Sequence, residues 1–178
     1  MTVSRWLHVT ESGEDRNVKR TPSLRVAIEA GPDGQHVALA GSIDENSDLA
    51  GMFAQLVGPA VINLRHIERV NSMGVHRWVP LVTQFSARHP LAIDEISYAL
   101  VQNANVVANL FGTAVVRSCV APYFCSACND NCSVVVTMEE VAACAGGPPV
   151  KHCGRCRAAM EFDELDGYFS FFKTRSKR

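Results

Sequence analysis

Two pairs of closely spaced cysteines constrain the fold of this chain more than any other feature of its sequence. They are Cys125-Ser-Ala-Cys128 and Cys153-Gly-Arg-Cys156, and 24 residues separate the two pairs. Two C-x-x-C pairs with a spacer of this order can supply four thiolates to one tetrahedral metal ion. The sequence therefore predicts that the last third of the chain folds around a metal.

The ligand set favours one structural zinc ion, and rubredoxin-like iron is the main alternative because the same thiolates can bind it. A closed four-ligand site leaves no open position for water, so we expect no catalytic role for the metal. Cys132 lies four residues after Cys128 and is a substitute ligand. His152 is a weaker competitor. A thioredoxin-like redox pair explains the pattern less well, since one C-x-x-C would suffice for it.

Basic residues adjoin the second cysteine pair. Lys151, Arg155 and Arg157 surround it in the sequence, and we expect their charges to offset the negative charge of four thiolates. The other two cysteines, Cys119 and Cys144, are expected to be small buried side chains.

Length and composition indicate a globular protein with one larger domain and one small module. The chain has 178 residues, of which 47% are hydrophobic and 20% are charged. The formal net charge of -1 predicts no general attraction to nucleic acid. No stretch reaches the roughly 18 apolar residues of a membrane span, and the N-terminus does not resemble a secretory signal. We therefore expect a cytoplasmic protein with free thiols and no membrane partner.

The chain divides by pattern into an N-terminal arm (1–22), an α/β domain (23–118), a metal-binding module (119–172) and a basic tail (173–178). In the α/β domain, apolar periodicity and turn residues predict alternating strands and helices. The predicted order is a hairpin over 24–40, a helix over 49–57, a strand over 60–64, a helix over 72–88, a strand over 91–96, a helix over 98–111 and an extended segment over 113–124. This order implies a sheet with parallel crossovers and packed helices.

Local signals refine the helices and the module. Ser47 or Asn46 is expected to cap the first helix, and Ser72 the second. Pro80 lies inside the second helix, where it removes a backbone hydrogen bond. In the module, residues 133–141 are β-branched and apolar. Five aromatic residues follow and are expected to pack around the metal and against the larger domain: Phe162, Tyr168, Phe169, Phe171 and Phe172.

The segments Val61-Ile-Asn-Leu64 and Val70-Asn-Ser-Met-Gly74 carry a resemblance to a known family. They resemble the STAS domain, the fold of bacterial anti-sigma factor antagonists, in which a hydrophobic strand is followed by Asp-Ser-Ser/Thr-Gly at the start of a helix. The stretch Val37–Asp44 is similar to the start of that family, and the resemblance covers about residues 24–118. It implies a STAS-like mixed sheet with packed helices, followed here by a small zinc-ribbon module.

The resemblance also implies a function. In that family a partner kinase phosphorylates the serine that matches Ser72, and the phosphorylation state decides which partner is bound. This chain departs from the pattern, because Asn63 and Asn71 replace acidic residues and Met73 replaces a small hydroxyl residue. The alternative for Ser72 is a helix cap without a switch. The resemblance predicts that Asn71, Ser72, Met73 and Gly74 contact a protein partner, either a kinase or an anti-sigma-factor-like regulator.

Two other classes of function compete with partner binding. Zinc ribbons often present basic and aromatic residues to nucleic acid, so a nucleic-acid-binding or transcription-associated regulator is the alternative. The acidic residues of the module argue against it. The sequence has no phosphate-loop, dinucleotide-binding, nucleophile-elbow or zinc-protease motif, and we expect no enzymatic activity. A homodimer is compatible with the sequence.

Overall fold

The computed structural model describes residues 24–173, which form a mixed α/β structure with two β-sheets. The predicted N-terminal arm, and the basic tail apart from Lys173, lie outside the described residues. The first sheet contains β1 (Arg25–Gly31), β2 (Gly34–Ile43), β3 (Ala60–Val70), β4 (Leu91–Asp94) and β5 (Val115–Val116). These strands lie side by side in chain order, with β1 antiparallel to β2 and the later pairs parallel.

Three helices connect the parallel strands of the first sheet: α1 (Leu49–Ala54), α2 (Ser72–Ser86) and α3 (Tyr98–Ala104). α1 contacts α2, and α3 contacts β3. The rings of Phe53, Trp78 and Phe85 meet between α1 and α2, with centroids 5.7 Å apart in each of the Phe53 pairs. The indole N–H of Trp78 donates to the carbonyl of Leu110 at 3.0 Å, which satisfies the buried donor.

The second sheet contains β6 (Ser118–Cys125), β7 (Asp130–Thr137), β8 (Lys151–His152) and β9 (Ala159–Phe162), in the order β7-β6-β9-β8. Its neighbouring strands are antiparallel. Two short helices, α4 (Met138–Ala143) and α5 (Ser170–Lys173), follow β7 and β9. One hydrophobic cluster includes side chains of both sheets, so the two parts of the chain share a core.

The first sheet differs from the sequence prediction mainly in the length of β3. We expected a strand over 60–64, but β3 continues to Val70 and pairs with β2 as far as Ile43. Two register shifts interrupt this pairing. Beyond Leu64 the strand is mostly polar and exposed, with Ile67 as its buried residue, and the apolar pattern that marked it therefore ends early.

α1 and α3 begin at the predicted residues but end earlier, and the predicted cap of α1 is wrong. Asp48, and not Ser47 or Asn46, caps α1 by accepting a hydrogen bond from the Gly51 N–H at 2.9 Å. α1 ends at Ala54. α3 ends at Ala104 instead of residue 111, and the chain continues through turns that contain the left-handed Asn109 (φ 59°).

The start of α4 and the position of Pro80 in α2 are two further features of the helices. Part of the β-branched, apolar stretch 133–141 belongs to the helix α4. Its capping box joins Thr137 and Glu140, which is a recognisable T-x-x-E pattern. Pro80 lies within α2 on the exposed side, where water can solvate the carbonyl group that loses its donor.

Candidate functional site

Two hairpin turns place the four cysteines of the metal motif. Cys125 ends β6 and Cys128 precedes β7, so the first pair forms the turn between these strands. Cys153 and Cys156 lie in the turn between β8 and β9. Because β6 pairs with β9, the two turns meet at one end of the second sheet. The sheet topology thus brings together residues that are distant in sequence.

The thiols have the spacing of a tetrahedral metal site. The four Sγ atoms lie within 4.8 Å of one another. Cys125 Sγ lies 3.6 Å from Cys156 Sγ, and Cys128 Sγ lies 3.9 Å from Cys153 Sγ. A zinc–sulfur bond of about 2.3 Å in a tetrahedron requires sulfur atoms about 3.8 Å apart. The four cysteines can therefore hold a single metal ion.

The two cysteine turns differ in their backbone hydrogen bonds but share a left-handed residue after the second cysteine. In the first, the N–H of Cys128 donates to the carbonyl of Cys125 at 3.2 Å; in the second, the N–H of Arg157 donates to the carbonyl of Cys153 at 2.9 Å. The residue after each pair, Asn129 (φ 50°) or Arg157 (φ 64°), is left-handed. Asparagine adopts this conformation readily, whereas arginine does so less often. The second turn therefore holds Arg157 in a backbone conformation that is unfavourable for this residue type.

Hydrogen bonds and burial shift the pKa values of the cysteine thiols in opposite directions. Backbone N–H groups of Cys156 and Arg155 stabilise the Cys153 thiolate and lower its pKa to about 6. The hydrogen bond with the Cys156 thiol, followed by burial, raises the pKa of Cys128 to about 12. Burial also raises the pKa of Cys125. The protein alone thus favours the Cys153 thiolate, and a bound cation would supply the charge that ionises Cys125 and Cys128.

The basic residues near the site have different roles. The Arg155 guanidinium pairs with the Asp130 carboxylate, and its raised pKa reflects Asp130 first and the thiols next. Lys151 instead binds Glu140 at 2.5 Å and the carbonyl of Val135 at 3.0 Å. The expected charge compensation is therefore supported for Arg155, while Lys151 fastens β8 to α4.

The other candidate ligands lie outside the group of four. Cys132 is half-buried on β7; burial, followed by the charge of Cys153, raises its pKa. His152 is exposed on β8. Cys119 is buried, as expected, and burial raises its pKa to about 12. Cys144 is exposed, and the expectation of burial is wrong because this residue is the C-cap of α4.

The C-terminal aromatic residues join the metal-binding sheet to the first domain, as expected. The Tyr168 ring stacks on Tyr98 of α3 with centroids 6.1 Å apart, and its hydroxyl donates to the carbonyl of Val120 at 2.6 Å. Asn105 holds the same segment: its amide donates to the Tyr168 carbonyl at 3.0 Å, and its oxygen accepts from the Phe171 N–H at 3.0 Å. Sequence reasoning missed Asn105, because its partners are more than 60 residues away.

The predicted partner-binding residues lie where β3 ends and α2 begins. Asn71 is the N-cap, and its side chain accepts from the Gly74 N–H at 2.8 Å. The prediction that Ser72 is the cap is wrong, since Ser72 is the first residue of the helix. Ser72 is exposed and Met73 is 52% exposed. Gly74 is buried, and a Cβ atom there would lie 2.1 Å from the Ile43 carbonyl oxygen, so this glycine serves packing.

An acidic side chain contacts Asn71, the residue before Ser72, although the expected acidic positions carry amides. Asn71 Nδ2 donates to Glu45 Oε2 at 2.7 Å, and this hydrogen bond lowers the pKa of Glu45. Arg77 on α2 donates to the backbone carbonyl of Glu45. Asn63 accepts from the backbone N–H of Arg65 at 3.0 Å and so supports β3. The surface at Ser72 therefore includes Glu45, which sequence spacing did not indicate.

Comparisons of the chain with protein-family models, with curated proteins and with solved structures found no match. The resemblance to the STAS domain and to the zinc ribbon therefore stays a prediction from the sequence. None of the helices in the described part of the chain is long and apolar enough to cross a membrane.

Proposed function

We propose that this protein is a non-enzymatic signalling adaptor of the anti-sigma-factor-antagonist type that binds a protein partner through the surface around Ser72. One observation carries the proposal: Ser72 and Met73 are exposed at the start of the long helix α2, next to the carboxylate of Glu45. The order of strands and helices before residue 118 supports the STAS-like assignment. The partner is a kinase or an anti-sigma-factor-like regulator.

The position of Ser72 suits a phosphorylation switch. A phosphate there would face the positive end of α2, which favours negative charge. The Glu45 carboxylate, which accepts a hydrogen bond from the neighbouring Asn71, would repel this phosphate because both groups are negative. Phosphorylation would thus create a doubly acidic surface and change which partner binds. The exposed thioether of Met73 supplies an adaptable apolar contact in the unmodified state.

We further propose that the metal is one zinc ion and that its role is structural. Four thiolates without an open position match closed zinc sites, and the two hairpin turns match a zinc ribbon. Zinc lacks d–d absorption, whereas iron with four thiolates is strongly coloured. A colourless protein that contains zinc supports the assignment, and a red protein whose iron remains bound after purification would favour the iron alternative.

Partner binding is tested with purified kinases of the anti-sigma type and with two matched variants. Met73→Glu adds a charge to the proposed surface, while Val57→Glu adds one at a position that is 79% exposed elsewhere. We expect Met73→Glu to weaken binding by about tenfold or more, and Val57→Glu to leave it unchanged. Phosphate mapping by mass spectrometry, with Ser72→Ala as control, tests the switch. Equal binding by both variants, or no binding by any kinase, would contradict the proposed surface.

A further inference from the structure

A second surface lies between α1 and the C-terminal half of α2. A groove with a volume of about 320 Å³ separates these helices. The buried side chains of Phe53, Leu56 and Phe85 form its floor. Ala50 and Ala54 of α1 are exposed at its side, and their small side chains leave room for an apolar group from outside. The groove is large enough for one or two apolar side chains.

The floor of this groove is fixed by aromatic contacts. The Phe53 and Phe85 rings lie 5.7 Å apart, and Phe53 also contacts Trp78 at 5.7 Å. Trp78 is held in turn by its hydrogen bond to Leu110. The imidazole of His89 packs on Phe85 with centroids 5.1 Å apart. A surface that is ordered before binding loses little conformational entropy when a partner docks.

The polar rim of the groove carries one formal positive charge, that of Arg88. Its three polar residues are Gln84, Arg88 and His89, and no acidic residue lines it. The structure gives Arg88 no ion pair with any residue in the described range 24–173. Backbone hydrogen bonds from Arg88 and His89 to the Phe85 carbonyl, at 3.0 and 2.9 Å, hold both residues next to the groove. An apolar floor with a positive charge at its rim complements an apolar segment with acidic flanks.

We propose that this groove binds an amphipathic helical segment of a protein partner that carries acidic residues beside its apolar stripe. The helix-in-groove mode places apolar side chains at i, i+3 or i+4 over Phe53 and Phe85, while a carboxylate faces Arg88. The groove lies about 20 Å along α2 from Ser72. It is therefore a separate contact surface and does not depend on the function proposed for Ser72.

The test uses the full chain and a fluorescein-labelled peptide of about 15 residues with leucines at helical spacing and flanking glutamates. The control peptide carries lysines in place of the glutamates. We expect the acidic peptide to bind at least about fivefold more tightly at low salt, and this preference to shrink as salt is added. Arg88→Glu should remove the preference, while Arg69→Glu, an equal charge change on β3, should leave it.

A second variant keeps the test independent of charge. Ala54→Trp fills the groove from an exposed position, and it should weaken binding of the acidic peptide by at least about tenfold. Ala54→Ser serves as the matched control and should bind as the unmodified protein does. Circular dichroism and melting curves check that each variant is folded. The proposal is overturned if neither peptide binds, if both bind equally, or if Arg69→Glu acts like Arg88→Glu.

Discussion

At the scale of single residues, Asn71 determines how the helix α2 begins. Its side chain caps the helix at Gly74, and its amide nitrogen also binds Glu45. Ser72 is thereby released from a capping role and is exposed to solvent. This division of roles leaves the serine exposed, and it predicts different costs for substitution at the two positions.

Asn71→Ala should lower the free energy of unfolding by about 1 kcal/mol, because the helix loses its N-cap. Ser72→Ala should change it by less than about 0.5 kcal/mol, since the exposed hydroxyl has no capping role. Urea denaturation of the two variants measures both values. A larger cost for Ser72→Ala than for Asn71→Ala would show that the serine is the cap.

The sequence could not separate these two residues. Asparagine and serine are both good N-caps, and the choice depends on the backbone angles at the end of β3. The same ambiguity affected α1, where Asp48 is the cap although Ser47 and Asn46 are equally suitable residue types. Ser47 instead donates to the Ser42 carbonyl at 2.9 Å and holds the preceding loop. Cap type is readable from sequence, but the exact cap position depends on the neighbouring strand.

At the scale of elements, Glu140 joins α4 to β8 of the second sheet. This carboxylate accepts from the Thr137 N–H at 2.8 Å and binds Lys151 of β8 at 2.5 Å. Burial raises the pKa of Glu140, but these hydrogen bonds and the Lys151 charge outweigh it, so the pKa lies below its ordinary value of 4.5. A carboxyl group with a lowered pKa stabilises the fold above its unfolded pKa and loses that contribution as pH falls.

The stability difference between the unmodified protein and Glu140→Gln should therefore be largest near neutral pH and should shrink below about pH 4.5. Glu139→Gln, at the neighbouring exposed position, is the matched control and should change the free energy of unfolding by less than about 0.5 kcal/mol at neutral pH. Denaturation at several pH values measures both differences, and taking differences removes the titration that the proteins share. A Glu140→Gln difference that stays constant from pH 7 to pH 3 would contradict the role given to this carboxylate.

Most elements of the first sheet were predictable, because apolar periodicity marks buried faces directly. The exceptions share a cause. β3 extends past Leu64 through polar residues that pair with β2, and α4 begins at a capping box inside an apolar, β-branched stretch. Backbone pairing determines the end of β3, and capping determines the start of α4. The hydrophobic pattern indicates neither boundary. The capping box of α4 was readable from Thr137 and Glu140, and the extension of β3 was not.

At the scale of the whole molecule, the metal site and the first domain are joined by the C-terminal segment. Asn105 follows α3 and makes hydrogen bonds to Tyr168, Ser170 and Phe171. The four cysteines were predictable because C-x-x-C spacing encodes their chemistry locally. The contacts of Asn105 with the C-terminal segment were not predictable. Neither the residue type of Asn105 nor its neighbours in sequence indicate a contact with residues so distant along the chain.

Asn105→Ala should lower the free energy of unfolding by about 1–3 kcal/mol, because it removes the hydrogen bonds of Asn105 to the Tyr168 carbonyl and the Phe171 N–H. Asn103→Ala is the matched control. Among residues 24–173 the structure gives the Asn103 side chain one hydrogen bond, to the Ala99 carbonyl of the same helix at 2.8 Å, and its loss should cost less than about 1 kcal/mol. Thermal or urea denaturation measures both. Equal costs would show that the segment does not depend on these contacts of Asn105.

The most direct test of this account is the metal content of three purified proteins, measured by inductively coupled plasma mass spectrometry. The unmodified protein and Cys132→Ser should each contain about one zinc per chain, because Cys132 lies outside the group of four. Cys153→Ser/Cys156→Ser should contain none, and its metal-binding sheet should unfold locally. Full zinc content in the double variant, or loss of zinc in Cys132→Ser, would contradict the assignment of Cys125, Cys128, Cys153 and Cys156 as the ligands.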